Sequence, residues 1–276
     1  DRNTVSGSAA GGVASILNGS VSNYVVEGTV TYNKRFGEQR LTVLGGATTQ
    51  RFITNRNSLE ASGFSSDATG TNNVGAGTQN TYDVGSNKLS NRLVSFLGRV
   101  NYSLLNRYLL TVTFRADGSS RFGINNRFGY FPSVAGVWKV SEEDFMKDLS
   151  VISNLRLKTS WGRTGNQSIA DYQSIATYGL GPVGNFNGQL VPTQEPARLP
   201  NPDLKWETTE QANFGLELGL LNDRIYGSIE YYTKRTYDML LNKPVTTTSG
   251  FTSQLTNIGS IRKTGVEISV NSRNID

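Results

Sequence analysis

Apolar and polar positions alternate with a period of two along most of this chain. Tyr24, Val26, Gly28, Val30 and Tyr32 fall on one side of an extended segment, and Glu27, Thr29, Thr31 and Asn33 on the other. A short turn near Arg35–Glu38 leads to a second segment over 40–52, rich in Thr and Gly. Val94, Phe96, Gly98, Val100 and Tyr102 then oppose Ser95, Arg99 and Asn101. After the hairpin-short connector at 104–107, Tyr108, Leu110, Val112, Phe114 and Ala116 oppose Thr111, Thr113, Arg115 and Asp117. Less regular alternation over 131–140 is followed by strands around 155–161, 213–220, 225–234 and 266–271. The pattern predicts about nine strands and one helix, "SEEDFMKDL" at 141–149, in which Ser141 and Asp144 form a variant of the capping box.

The connections alternate in length. Those after the first, third and seventh strands are short, and the one after the fifth carries the helix. The other four are longer: residues 55–88 are rich in Gly, Ser, Thr and Asn, and residues 163–204 hold five of the seven prolines. Short turns at one end, long loops at the other, and ten-residue alternating strands describe a transmembrane β-barrel of the outer-membrane type. Soluble sandwiches, propellers and surface-exposed structural or adhesive β-proteins also alternate. Here, however, the polar faces carry Arg, Lys, Glu, Ser and Thr, which suits a wet lumen, and Tyr32, Tyr102, Tyr108 and Trp138 stand near strand ends, where interfacial aromatics gather. The reading is all-β, an antiparallel transmembrane barrel. Bacterial single-chain barrels have even strand numbers, and an unpaired edge in lipid is costly, so nine strands predict a portion of a larger barrel. The first twenty residues lack the charged start and apolar core of a signal peptide, in keeping with an internal segment.

Composition narrows the chemistry. The 276 residues contain neither cysteine nor histidine, which excludes disulfides, thiolate nucleophiles, Ser-His-Asp catalysis and His- or Cys-ligated metals. A carboxylate-only enzyme such as a glycosidase stays open, without positive support. The net charge is +5, but the basic residues are scattered and form no run, so no nucleic-acid groove is expected. No Asp-x-Asp-x-Asp calcium pattern occurs, and no cofactor is expected. The pairs Glu142–Glu143 and Glu217–Asp223, near short connectors, are expected to be solvated.

Three stretches carry a family resemblance: "NRYLLTVTFRADGSSRFGINNRFGYFPSVAGVWKVSEEDFMKD" at 106–148, "ISNLRLKTSWGRTGNQSIADY" at 152–172, and "NPDLKWETTEQANFGLELGLLNDRIYGSIEYYTKRTYDMLL" at 201–241, continued by "TSGFTSQLTNIGSIRKTGVEISV" at 248–270. Their wording, order and spacing resemble the barrel of SusC/RagA-like TonB-dependent transporters of Bacteroidota. The resemblance implies a barrel of about 22 strands, closed by a plug domain and energised through a TonB box by TonB–ExbB–ExbD. It also implies a SusD-like surface lipoprotein as lid and an oligosaccharide or peptide as cargo. On that pattern residues 1–276 are a partial barrel domain, with plug, TonB box and last strands outside it; the chain ends at "NSRNID" rather than on an aromatic.

Candidate substrate or lid contacts are Arg115, Asp117 and Arg121, with Arg127, in the double Arg-Phe-Gly loop "ADGSSRFGINNRFGY" at 116–130; Tyr178, Phe186 and Asn187 in the long loop; and Tyr232, which points inward beside Glu230 and Lys234. For the first group a loop salt-bridge network with turn-forming glycines is the preferred reading, and for Tyr232 a packing or girdle role. No helical pattern follows "GINNRFG", so a phosphate-binding loop is excluded.

Overall fold

A computed structural model describes residues 11–274. The readings that reach into the first ten residues and the last two of "NSRNID" lie outside them. Nine strands form one antiparallel sheet: β1 (Val13–Phe36), β2 (Gln39–Ser62), β3 (Asp83–Leu104), β4 (Tyr108–Ser119), β5 (Phe128–Lys139), β6 (Ile152–Asn166), β11 (Glu207–Leu220), β12 (Ile225–Tyr237) and β15 (Ser260–Ser272), neighbours in that order. The loop between β6 and β11 carries β7 (Thr177–Leu180), β8 (Gly184–Phe186), β9 (Gln189–Val191) and β10 (Gln194–Arg198), paired β7–β10 and β8–β9. The loop after β12 carries the pair β13 (Leu240–Pro244) and β14 (Ser253–Asn257).

The chain divides into two compact units. The smaller, with 11–25 and 50–92 among the described residues, holds a small core of Ala14, Ala61, Phe64 and Val74, with Ile16 and Leu59 against it. In it Gly63 N–H donates to the Gly12 carbonyl, and the Tyr82 hydroxyl donates to the Gly75 carbonyl at 2.8 Å. Sequence composition reads 55–88 as a polar loop; the strand instead runs on through Thr54, Asn55 and Ser58 to Ser62, and β3 begins at Asp83. Ladder bonding to a neighbour outweighs the weak strand preference of Asn and Ser.

In the larger unit, residues 26–49 with 93–276, the register explains the alternation. Directly opposed residues share a face. One row runs Tyr108–Trp138–Leu157–Leu216–Ile229–Ile268, and the next Leu110–Gly136–Thr159–Phe214–Tyr231–Val266. These side chains are mostly exposed, and they are the ones expected to meet lipid. The opposite face carries Thr111–Ala135–Ser160–Asn213–Tyr232–Gly265 and Lys158–Gly215–Glu230–Glu267. A sandwich would bury the apolar rows against a second sheet, whereas here they are largely exposed; the polar face is bridged by side-chain bonds, Asn213 to Ser160 at 3.0 Å, Thr111 to Asn101 at 2.9 Å and Arg99 to Thr113 at 3.2 Å.

The helix expected at 141–149 is instead two single 3₁₀ turns, Val140–Glu142 and Asp144–Met146, with no side-chain cap. Between them Glu143 is extended and breaks the run. Its carboxylate is held by three donors on strand ends and turn: the Tyr108 hydroxyl at 2.5 Å, Trp138 Nε1 at 2.9 Å and Arg107 Nη1 at 2.9 Å. Together they outweigh the roughly 1 kcal/mol of a helix cap. Glu143 is thus buried rather than solvated, as is much of Glu217, which pairs with Lys158 and Arg156. The short turn at 104–107 places Leu105 and Asn106 at φ 53° and 54°, a type I′ hairpin turn closed by Arg107 N–H on the Leu104 carbonyl.

Two outcomes are expected. Val112→Arg, on the outward face, should cost about 2–4 kcal/mol of barrel stability, whereas Ala135→Arg, on the inward face, should leave folded yield nearly unchanged; equal losses, read by the heat-dependent gel shift of folded barrels, would refute the face assignment. The hydrogen bond from Tyr108, then those from Trp138 and Arg107, hold the Glu143 carboxyl below its ordinary value. A depressed folded pKa stabilises above the unfolded value and ceases to do so as pH falls through the folded one. Unfolding midpoints of the wild type should therefore drop on acidification below about pH 4.3, and Glu143→Gln should flatten that part of the profile.

Candidate lumenal rim at the long-loop end

The double Arg-Phe-Gly stretch forms a hairpin loop whose two triplets do different work. β4 runs to Ser119 and β5 starts at Phe128, so Asp117 belongs to a strand and only 120–127 is loop. Ser119 N–H donates to the Arg127 carbonyl, closing it. In the first triplet Phe122 is 1% exposed and packs with Phe131, Leu204 and Trp206. Its ring lies 4.9 Å from that of Trp206, which meets Phe131 edge-on at 5.4 Å. In the second, Phe128 lies over Gly118 on the outward face. Gly123 is dictated by contact: a Cβ there would stand 1.7 Å from the Pro202 carbonyl oxygen.

Segment 201–206, "NPDLKW", is the other half of this core. Gly123 N–H donates to the Leu204 carbonyl at 3.0 Å, Asn126 Nδ2 to the Asp203 carbonyl at 3.1 Å, and Trp206 Nε1 to the Arg127 carbonyl at 2.9 Å. Asn257 of β14 brackets Lys205, accepting from its N–H and donating to its carbonyl. Three loops are thereby tied into one rim above the sheet's polar face. Burying each large side chain contributes roughly 1.5–3 kcal/mol, and each aromatic pair about 0.5–1.5 kcal/mol more.

The candidate contact residues separate accordingly. Arg115 and Asp117 come together: Arg115 Nε reaches both carboxylate oxygens at 2.7 Å and Nη2 donates to Ser95 at 2.9 Å. Arg121 is elsewhere, donating to Asp171 at 2.9 Å and to the Gln167 carbonyl at 3.2 Å. Arg115 and Asp117 thus brace β4 against β3, and Arg121 holds the loop that carries Gln167 and Asp171. Arg127 acts through its carbonyl, its side chain being exposed. Tyr232 does point inward, and its ring covers Gly265 on the facing strand, where a Cβ would meet the hydroxyl oxygen at 2.7 Å. Tyr178 and Phe186 lie in different two-stranded pieces of the 167–206 loop and are both well exposed. Asn187 is a turn residue: with Gly188 it takes positive φ, 51° and 80°, and joins β8 to β9. Around Tyr178 and Phe186, Leu180 (85% exposed), Val183 and Leu190 (75%) make the loop arm unusually apolar for a solvated surface. Leu204, Trp206, Leu180 and Leu190 were not singled out by alternation; the Asn-Gly pair was the readable sign that this loop holds a hairpin.

The barrel-domain profile "TonB dependent receptor-like, beta-barrel" matches residues 1–274. The chain belongs to the TonB-dependent receptor β-barrel family. It is an outer-membrane barrel segment, all-β and antiparallel. Among curated relatives the receptor is 38% identical over 268 residues to TonB-dependent receptor P26 of Formosa agariphila, covering 96% of this chain and 27% of that protein. It is 46% identical over 192 residues to TonB-dependent receptor SusC of Bacteroides thetaiotaomicron, covering 67% of this chain and 19% of SusC. Among solved structures, that of the RagAB peptide transporter superposes with a TM-score of 0.80 at 30% identity, over 93% of this chain and 28% of the RagAB chain. The siderophore receptor PirA of Acinetobacter baumannii, at 15% identity and TM-score 0.54, shares the fold. The chain spans between 19% and 27% of the length of the curated relatives it matches.

The rim core makes a checkable claim. Trp206→Ala should cost about 3–5 kcal/mol locally and open the 167–206 loop to protease in the full-length receptor, with Gly123→Ala acting alike; unchanged cleavage would show that the loops are held by something else.

Proposed function

We propose that this segment is part of the wall and outer rim of a TonB-dependent importer that carries a large nutrient, an oligosaccharide or a peptide, across the outer membrane. The observation that carries the reading is the sharp division of the sheet: an apolar outward face, and an inward face of Lys158, Glu217, Asn213, Glu230 and Lys234 beneath a rim stiffened by its own aromatic core. Such a wall lets a hydrated solute pass while lipid is excluded. Gating and energy coupling belong, on this reading, to a plug and TonB box outside residues 1–276, driven by TonB–ExbB–ExbD. Similarity to SusC and to the chain of the RagAB peptide transporter supports the proposal.

The apolar arm around Tyr178, Leu180, Phe186 and Leu190 supports a SusD-like surface lipoprotein as partner: exposed apolar residues at the tip of a long loop are the chemistry of a protein contact. Arg115, Asp117 and Arg121 serve this function by shaping the rim, and Tyr178 and Phe186 by touching lid or cargo.

Cells carrying the full-length receptor should take up a labelled oligosaccharide or peptide in a receptor-dependent manner abolished by a protonophore. Leu180→Ser with Leu190→Ser should reduce both uptake and recovery of the lipoprotein with the receptor by about tenfold or more, a loss of at least about 1.4 kcal/mol. Uptake that survives the protonophore would overturn the energised-import reading, and undiminished lipoprotein recovery the docking role of the arm.

A further inference from the structure

Beyond the top of the apolar band the outward face changes character. One cross-strand row there reads Arg163–Glu210–Arg235–Arg262 on β6, β11, β12 and β15. It lies on the lipid-facing parity: Arg235 follows Tyr231 and Thr233, and Arg262 precedes Thr264 and Val266, all on the outward side. Glu210 is already engaged, accepting from Trp161 Nε1 at 2.7 Å and facing Arg163 Nη2 at 3.7 Å, while the Arg163 guanidinium lies 5.5 Å from the Trp161 ring. Arg235 and Arg262 stand directly opposite each other on adjacent strands, both exposed; Glu210 is the register partner of Arg235 on its other side, but its carboxylate turns to Trp161 and Arg163, and among the described residues neither Arg235 nor Arg262 forms an ion pair. Like charges in that relation repel. They line a shallow hollow of about 540 Å³ with Trp161, Glu210, Thr233 and Ser260.

Depth decides what anion fits. From Ile225, the first outward residue of β12 at the short-turn boundary, Arg235 is ten residues on, roughly 34 Å along a strand at about 3.4 Å per residue, a rise of about 24–28 Å at the usual strand tilt that carries it to the far edge of an apolar band about 25 Å tall. That is headgroup depth, on the long-loop side and so in the outer leaflet. Below it on the same face lies an apolar hollow of about 780 Å³ lined by Trp138, Leu157, Phe214, Leu216, Ile229 and Tyr231. A guanidinium pair above an apolar hollow matches an amphiphile with a phosphate head and acyl tails, since guanidinium binds phosphate oxygens through paired N–H donors.

We propose that Arg235 and Arg262, with Arg163 beside them, form an outward-facing site for a phosphorylated lipid headgroup of the outer leaflet. The phosphate relieves the Arg235–Arg262 repulsion, and the acyl chains lie in the hollow below. The site is independent of the import reading, because it faces away from the lumen.

The test uses the full-length receptor in phosphatidylcholine nanodiscs doped with phosphorylated lipid A, or with the same lipid A stripped of its phosphates, and native mass spectrometry of the retained lipid. The phosphorylated form should be retained and the stripped form not. Arg235→Gln with Arg262→Gln should lower retention about tenfold or more, and Glu210→Gln should raise it, an opposite sign that misfolding cannot mimic. Equal retention of both lipids, or undiminished retention by the double variant, would overturn the proposal. So would inorganic phosphate displacing the lipid at equimolar concentration, which would mean a free-anion site, or a change of oligomeric state in the double variant without lipid loss, which would mean a contact between copies of the receptor.

Discussion

A backbone in hydrocarbon has no water to fall back on, so every N–H and C=O must find a partner within the protein. In this chain that demand is met between strands, in a register that runs unbroken through the larger unit from β3 to β15 apart from a single shift near Gly219 and Leu220. Once the register is fixed, side chains have no freedom of side. A slip of one residue would carry Lys158 and Glu230 into lipid and Leu157 and Ile229 into water. The period-two pattern is therefore the trace of the constraint itself rather than a correlate of strand propensity.

The same rule releases the long-loop end. Outside the bilayer a loop can bond to water, yet 120–127, 201–206 and 253–257 are tied to one another by backbone and side-chain bonds around Phe122, Phe131, Leu204 and Trp206. The polar groups most visible in the sequence there, Arg115, Asp117 and Arg121, serve this rim. Arg115 braces Asp117 within β4, and Arg121 draws in the loop that carries Asp171. An arginine already bonded on two sides is a poor free hand for cargo, which leaves recognition to the exposed apolar arm and the inward polar wall.

What could be read in advance follows from which signals are local. Strand faces and hairpin turns depend on neighbours two to four residues away, so the nine strands, their sides and the short connections emerged from alternation. Contacts distant in sequence did not. The end of β2 reads as loop because Asn55 and Ser58 dislike strands in isolation. The segment at 141–149 reads as helix because Ser141 and Asp144 are correctly spaced, and nothing local says that Tyr108, Trp138 and Arg107 will claim Glu143. Leu204 and Trp206 sit among prolines and look like linker until Gly123 is seen to leave room for Pro202. Of the candidate contacts, the inward direction of Tyr232 was legible from parity alone, whereas its packing on Gly265 was not.

The two ends of the outward face handle charge in contrasting ways. At the short-turn end Arg107 and the donors of Tyr108 and Trp138 converge on Glu143, so the protein supplies its own anion. At the long-loop end Glu210 answers Arg163 and Trp161, and the next two positions of the same row are again arginine. A sequence free to vary at exposed sites has little reason to set two cations opposite each other on neighbouring strands when one carboxylate would remove the repulsion. On the proposal made above, a lipid phosphate supplies the negative charge that the row Arg163–Glu210–Arg235–Arg262 leaves short, over a hollow lined by Phe214, Leu216 and Tyr231.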